Sequence, residues 1–224
     1  MRDFFRRGLE TRDAWRHDML RLDHVEAMKA GKITAPKWHA HFRCTIPPST
    51  RGSWTIEKFT VEIDLQNMRM MRDGRGCLPG EYTRLVHKTR GVVMSDTTAE
   101  IDDQSEPYWH ARGRCLVNGL GLGCTVKGLL SRPEVASIDV VEVDADVIAL
   151  VEPHLRCDRL VVHHADCFKK RWGTNVRWGV VWHDIWDNIC GDNLSEMERL
   201  RAKFRGKCKW QGCWGEEETR ERRF

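Results

Sequence analysis

The chain has 224 residues, 41% of them hydrophobic and 31% charged, and a formal net charge of +4. That length holds one well-buried domain with a smaller appendage but not two full-sized domains, and the mild positive charge is compatible with a nucleic-acid substrate without demanding one. No run approaches the eighteen or so apolar residues of a membrane span and the amino terminus lacks the apolar segment of a signal peptide, so no membrane partner and a cytoplasmic location are expected.

Residues 12–30 place Trp15, Met19, Leu22, Val25 and Met28 three or four apart, which predicts an amphipathic helix. Residues 32–53, with Pro36, Pro47, Pro48 and Gly52, read as irregular connection. His39, His41 and Cys44 lie close in that stretch, but three ligands on one loop with no second set read as a polar loop, and no metal is expected. The nine cysteines form no C-x-x-C pair, which points to reduced thiols. Residues 55–64 alternate Ile56, Phe59, Val61 and Ile63 with polar neighbours as a half-buried strand, with one irregularity near Lys58. Residues 82–87 and 91–95 read as two further short strands. Together these give an α+β accessory region over residues 1–100, with a small antiparallel sheet.

The pattern changes at Arg114. Residues 115–118 are strand-like and run into Gly119-Leu-Gly-Leu-Gly123, followed by a helix over 125–131. A second strand over 138–143 leads into a helix from Ala145 to about Glu152. Apolar runs at 160–162 and 180–182 precede His163-His164-Ala165-Asp166 and His183-Asp184. Strands alternating with helices at this spacing predict a doubly wound, mostly parallel, Rossmann-like α/β sheet over residues 101–224. Residues 193–204 read as a helix, 207–211 as a fifth strand, and 216–223 as a charged, helical tail. Only forty residues follow Asp184, so the sheet stops at about five strands, leaving an open edge and an uncovered acceptor side. Either the accessory strands or a second subunit, in a homodimer, is expected to cover them.

Ligands of such sheets sit outside the carboxyl ends of the strands, where strand order reverses. Gly119, Gly121 and Gly123 let the backbone turn tightly and approach a ligand. Glu142, about twenty residues on, is placed to accept hydrogen bonds from a ribose diol, with Asp144 near enough to share the task. Asp166 is placed to meet the amino edge of an adenine, or to serve as a turn aspartate. In a dinucleotide fingerprint the last glycine would fall where Cys124 stands, and the loop offers nothing further to neutralise a pyrophosphate. S-Adenosylmethionine is therefore the expected cofactor.

The stretch from Val92 to Asp187 resembles the spermidine-synthase-like members of the class I methyltransferase fold. It carries Gly119-Leu-Gly-Leu-Gly, Val141-Glu-Val-Asp-Ala-Asp-Val-Ile, Ala165-Asp-Cys-Phe and Asp184-Ile-Trp-Asp187 in the family's order. The resemblance implies that Glu142 holds the ribose, Asp166 the adenine, and that Asp184 faces the reacting centre as base or acceptor clamp, with Asp187 completing the D-x-x-D. His183 is a neighbouring candidate that titrates near neutrality, although strand alternation turns its side chain away from that of Asp184. Trp186 is placed to lie over the acceptor or the adenine. Leu122 stands where aminopropyltransferases carry an acid, and Glu100 where they carry a glutamine, which argues against polyamine synthesis. As a whole the chain resembles short methyltransferase-like proteins of tailed phages. The alternatives are an aminopropyltransferase-like or dinucleotide-dependent enzyme and a non-catalytic nucleotide-binding module, and the acceptor, small molecule or nucleic acid, is not identified.

Overall fold

The computed structural model describes residues 27–28, 30, 32, 34–64, 67, 70 and 76–221. The amphipathic helix expected over residues 12–30 falls almost wholly outside them; Ala27 and Met28 are helical and Met28 is buried.

The accessory sheet is antiparallel, in the order β1 (Ser49–Arg51), β2 (Trp54–Val61), β3 (Gly80–His87), β4 (Gly91–Ser95). The irregularity expected at Lys58 is not a bulge, because β2 pairs with β3 one for one from Trp54 to Val61. The register instead breaks at Leu85/Val86, against β4. The stretch read as irregular contains a 3-10 helix at Lys37–His41 as well as β1. Its His39 is buried, with Nε2 2.9 Å from Asp102 Oδ1, so it belongs to the core and not to a polar loop. Two helices follow the sheet, α1 (Thr98–Asp103) and α2 (Glu106–His110). Each is under two turns long, too short for apolar periodicity to announce it. Thr97 caps α1 by accepting from the Glu100 N–H.

The second sheet is built from β5 (Gly113–Asn118), β6 (Val135–Glu142), β7 (Leu160–His164), β8 (Trp178–His183) and β9 (Cys208–Cys213). All five are parallel, in the order β7-β6-β5-β8-β9. Helices α3 (Cys124–Leu130) and α4 (Ala145–Val151) make the first two crossovers. The connection from β7 to β8 contains no helix; residues 165–177 run irregularly. Lys203 Nζ holds that run by donating to the carbonyls of Cys167, Phe168 and Lys170 at 2.6, 3.0 and 2.8 Å. Lys203 lies on α5 (Asn193–Phe204), the helix between β8 and β9, and α6 (Glu216–Glu221) follows the last strand.

Period-two alternation divides the sheet's side chains between two cores. Leu116, Val141 and Val181 pack with Leu200 and Phe204 of α5. Cys115, Val117, Val140, Val180 and Trp182 pack with Val126, Leu129, Val147 and Val151 of α3 and α4, and in the same cluster lie Phe42, Ile46, Ile56 and Leu85 of the accessory region. The accessory sheet thus shares a core with the parallel one.

It also reaches over the carboxyl ends of the strands. Trp54 Nε1 donates to Asp144 Oδ2 at 2.7 Å, Arg51 pairs with Asp146 at 2.9 Å, and Arg90 pairs with Asp187 at 3.1 Å. The accessory strands of this chain thus cover the carboxyl ends of the parallel strands.

Candidate functional site

Where the strand order reverses between β5 and β8, a cavity of about 360 Å³ opens under the accessory sheet. That volume is in the range of small-ligand sites. From the parallel sheet it is lined by Gly119, Gly121, Glu142, Asp144, Asp166 and Asp184, among others, and by Trp186 and Asp187 just beyond β8. From the accessory region come Trp54, Leu85, Arg90, Met94 and Glu100, and from the end of α1 comes Gln104.

The glycine loop is held by bonds within the protein. Leu120 N–H donates to Glu142 Oε2 at 2.8 Å, Leu122 N–H to Met94 Sδ at 3.1 Å, and Gly123 N–H to the Leu120 carbonyl at 2.8 Å. Glu142 Oε1 takes the Asp144 N–H at 2.9 Å, so this carboxylate ties the end of β6 to the loop while it faces the cavity. Gly119 has φ +97°, and a Cβ there would lie 1.8 Å from the Asp184 carbonyl oxygen. Gly121 has φ +50°, and a Cβ there would meet the end of the Met94 side chain.

Asp144 caps α4 by accepting from the Asp146 and Val147 amides. Burial would raise its carboxyl, but the hydrogen bonds from Trp54 and from those amides outweigh it and hold the group below the usual carboxylate range. Asp166 lines the cavity, with Oδ1 taking the Phe168 N–H at 2.8 Å, the arrangement of a turn aspartate. Burial would raise it, but the Phe168 N–H and Lys169 together outweigh that, and its carboxyl too lies low. Trp186 Nε1 donates to Glu196 at 2.9 Å, which fixes the indole at the cavity wall.

Asp184 behaves differently. Burial pushes its carboxyl up to about 7, and the neighbouring carboxylates of Glu100 and Glu142 add to the effect. The native protein therefore binds this proton more tightly than the unfolded chain does. The stabilisation from Asp184 is complete below the unfolded value of 3.8 and is lost as pH rises through about 7. Asp184→Asn should remove that loss, so the variant should melt above the wild type at pH 8 and with it at pH 4. Equal melting at both pH values would mean that the carboxyl is not raised.

Two residues expected at the site are not in the cavity lining. Gly123 is the N-cap of α3, in the left-handed conformation, and a Cβ there would strike Leu155 at 2.4 Å; its role is to turn the chain into the helix. His183 is fully buried on the α5 side of β8, as the alternation of Val181 and His183 dictates. Its ring is 5.4 Å from that of Phe204, and its Nδ1 is 2.8 Å from the Asn118 side-chain nitrogen. Burial lowers its pKa to about 4, so it is neutral at physiological pH and carries no proton to the cavity.

Trp54, Arg90 and Met94 had no local signal as site residues. Glu100, which stands where aminopropyltransferases carry a glutamine, lines the cavity, and its Oε2 takes the Ser95 N–H at 2.6 Å. Gln104, four residues further on, lines it from the end of the same helix.

No family's sequence profile matches the chain, and no curated protein sequence matches it. Among solved structures, a putative methylase from Haemophilus influenzae matches with 20% identity over 48% of this chain and 61% of its own, at a TM-score of 0.36. A putative type II methyltransferase from Anaeromyxobacter dehalogenans matches with 18% identity over 47% and 41%, at 0.33. An S-adenosylmethionine-dependent methyltransferase from Clostridium acetobutylicum matches with 14% identity over 49% and 44%, at 0.32. The chain spans between 41% and 61% of the length of these three proteins, and likeness at this level assigns no function. By its own strand order the chain is a Rossmann-like α/β fold of five parallel strands behind an α+β accessory region.

Proposed function

We propose that the chain is an S-adenosylmethionine-dependent methyltransferase, with the cofactor in the cavity over the glycine loop and the acceptor beside Asp184. The observation that carries this reading is the polarity of the cavity. Its acidic and basic lining residues are Glu100, Glu142, Asp144, Asp166, Asp184 and Asp187 against Arg90, and Arg90 is engaged by Asp187. A dinucleotide would bring a pyrophosphate, which needs loop amides or cations. Here the amides of Leu120, Leu122 and Gly123 are bonded within the protein. A cationic nucleoside cofactor fits the same acids by charge, and Glu142 keeps lone pairs for a ribose diol.

When bound, S-adenosylmethionine supplies an activated methyl group. The residues of the chain then have three tasks. Glu142 holds the ribose and, through Leu120, the loop. The accessory roof of Trp54, Leu85 and Met94 excludes water. Asp184, whose carboxyl lies near 7, takes a proton from the acceptor, a pKa suited to a general base at neutral pH. The order of motifs favours the spermidine-synthase-like branch, but Leu122 is buried and supplies no acid to the cavity, which favours methyl over aminopropyl transfer.

Thermal denaturation with S-adenosylmethionine, its demethylated product, the decarboxylated cofactor and NAD tests the assignment. At a hundredfold excess over its dissociation constant a ligand adds about 2.7 kcal/mol of stability, and that shift is expected with the first two. A shift with NAD alone would overturn the reading, and one confined to the decarboxylated cofactor would favour aminopropyl transfer.

A further inference from the structure

Beside the acid-lined cavity lies a surface of opposite charge. Residues 169–177 and 199–207 hold nine lysines and arginines and no acid; of these Arg201 is paired with Glu216 at 2.8 Å. The two segments are joined in space. Lys203 on α5 bonds three carbonyls of residues 167–170, and the Lys207 carbonyl accepts from the Trp178 N–H at 2.9 Å. Lys169, Arg171, Arg177, Arg199 and Arg205 are exposed. Aromatic rings lie among these cations. The Arg199 guanidinium is 4.7 Å from the centre of the Phe168 ring, and Lys170 Nζ is 4.6 Å from that of Trp172. Phe168 and Asp166 also line the cavity, and Asp166 pairs with Lys169 at 3.3 Å, so the basic face begins at the cavity's rim.

We propose that this face binds the phosphate backbone of a single-stranded nucleic acid and presents one of its bases to the cavity as the methyl acceptor; the acceptor role rests on the methyltransferase reading above, the binding does not. Charge segregates the two parts of such a ligand. The basic face attracts phosphates, whereas the carboxylates of the cavity repel them and accept hydrogen bonds from the amino and ring N–H groups of a base. Aromatic rings among cations suit unstacked bases, which a lipid surface would not offer.

The test is fluorescence anisotropy of the full chain with a labelled single-stranded DNA and a labelled single-stranded RNA of mixed sequence, between about 50 and 200 mM salt. Binding of at least one that weakens steeply with salt is expected. Arg171→Gln/Arg199→Gln/Arg205→Gln together should weaken it about tenfold or more and flatten the salt slope by roughly 2, at about 0.7 for each phosphate no longer neutralised. Arg156→Gln, on an exposed arginine beyond α4, should leave it unchanged. Circular dichroism melts confirm that the triple variant folds. The proposal is overturned by no oligonucleotide binding at low salt, by equal binding of the triple variant, by equal losses in the Arg156 control, or by binding only to phosphatidylserine vesicles. Calorimetry with S-adenosylmethionine is run alongside: cofactor binding without oligonucleotide binding sinks this inference alone, and oligonucleotide binding without cofactor binding sinks the methyltransferase reading and the acceptor role while leaving the nucleic-acid surface.

Discussion

Gly119→Ala is expected to lower the stability of the fold by roughly 3–5 kcal/mol. The position combines a φ of +97° with a Cβ path that ends 1.8 Å from the Asp184 carbonyl oxygen and 2.8 Å from its carbonyl carbon. Both obstacles are backbone, so no rotamer change relieves them. The adjacent strands would have to part, since the Asp184 N–H is bonded to the Asn118 carbonyl at 2.8 Å. A melting temperature reduced by roughly 10 °C is the expected reading, with cofactor affinity lost in whatever remains folded. Gly121→Ala is the informative contrast. Its Cβ meets the Met94 Sδ and Cε at 2.5 and 2.8 Å, the mobile end of a flexible side chain, so its stability cost should be smaller. Equal melting of Gly119→Ala and the wild type would show that β5 and β8 are not held as described.

The second large effect is on turnover. Asp184→Asn should reduce methyl transfer by roughly 10²–10⁴-fold, the range for loss of a positioned base, with cofactor affinity nearly unchanged. In the wild type, activity should rise with pH as Asp184 gives up its proton. The apparent pKa of that rise should lie near 7, where burial and the neighbouring carboxylates of Glu100 and Glu142 put the Asp184 carboxyl. Single-turnover rates against pH, paired with calorimetry of cofactor binding, measure both. If the Asn variant lost cofactor binding instead, Asp184 would belong to the cofactor pocket.

The parallel sheet was legible because its central strands β5, β6 and β8 are largely buried on both faces and read as apolar runs, and because Gly119 and Glu142 lie at the ends of consecutive strands. The alternation along β8 likewise told that His183 and Asp184 point apart, and the structure places His183 against Phe204. Helices α1 and α2 escaped notice because one to two turns carry too little periodicity. The roof of the site was illegible for a different reason. Trp54 and Arg90 act through partners far along the chain, and no local pattern encodes a contact of that range. Met94 would read as a strand residue in any case; only its meeting with Leu122 and Gly121 makes it part of the site.

The roof has a consequence for the order of assembly. Its bonds to the parallel sheet, Trp54 to Asp144, Arg51 to Asp146 and Arg90 to Asp187, join residues 90, 95 and 97 positions apart. Loops that long are entropically expensive to close and are closed late. The antiparallel strands and the β5–β6 unit can each form from nearer neighbours, whereas the cavity exists only after they dock. During refolding, a probe of the cavity such as ligand-dependent Trp54 fluorescence should therefore lag behind the recovery of secondary structure.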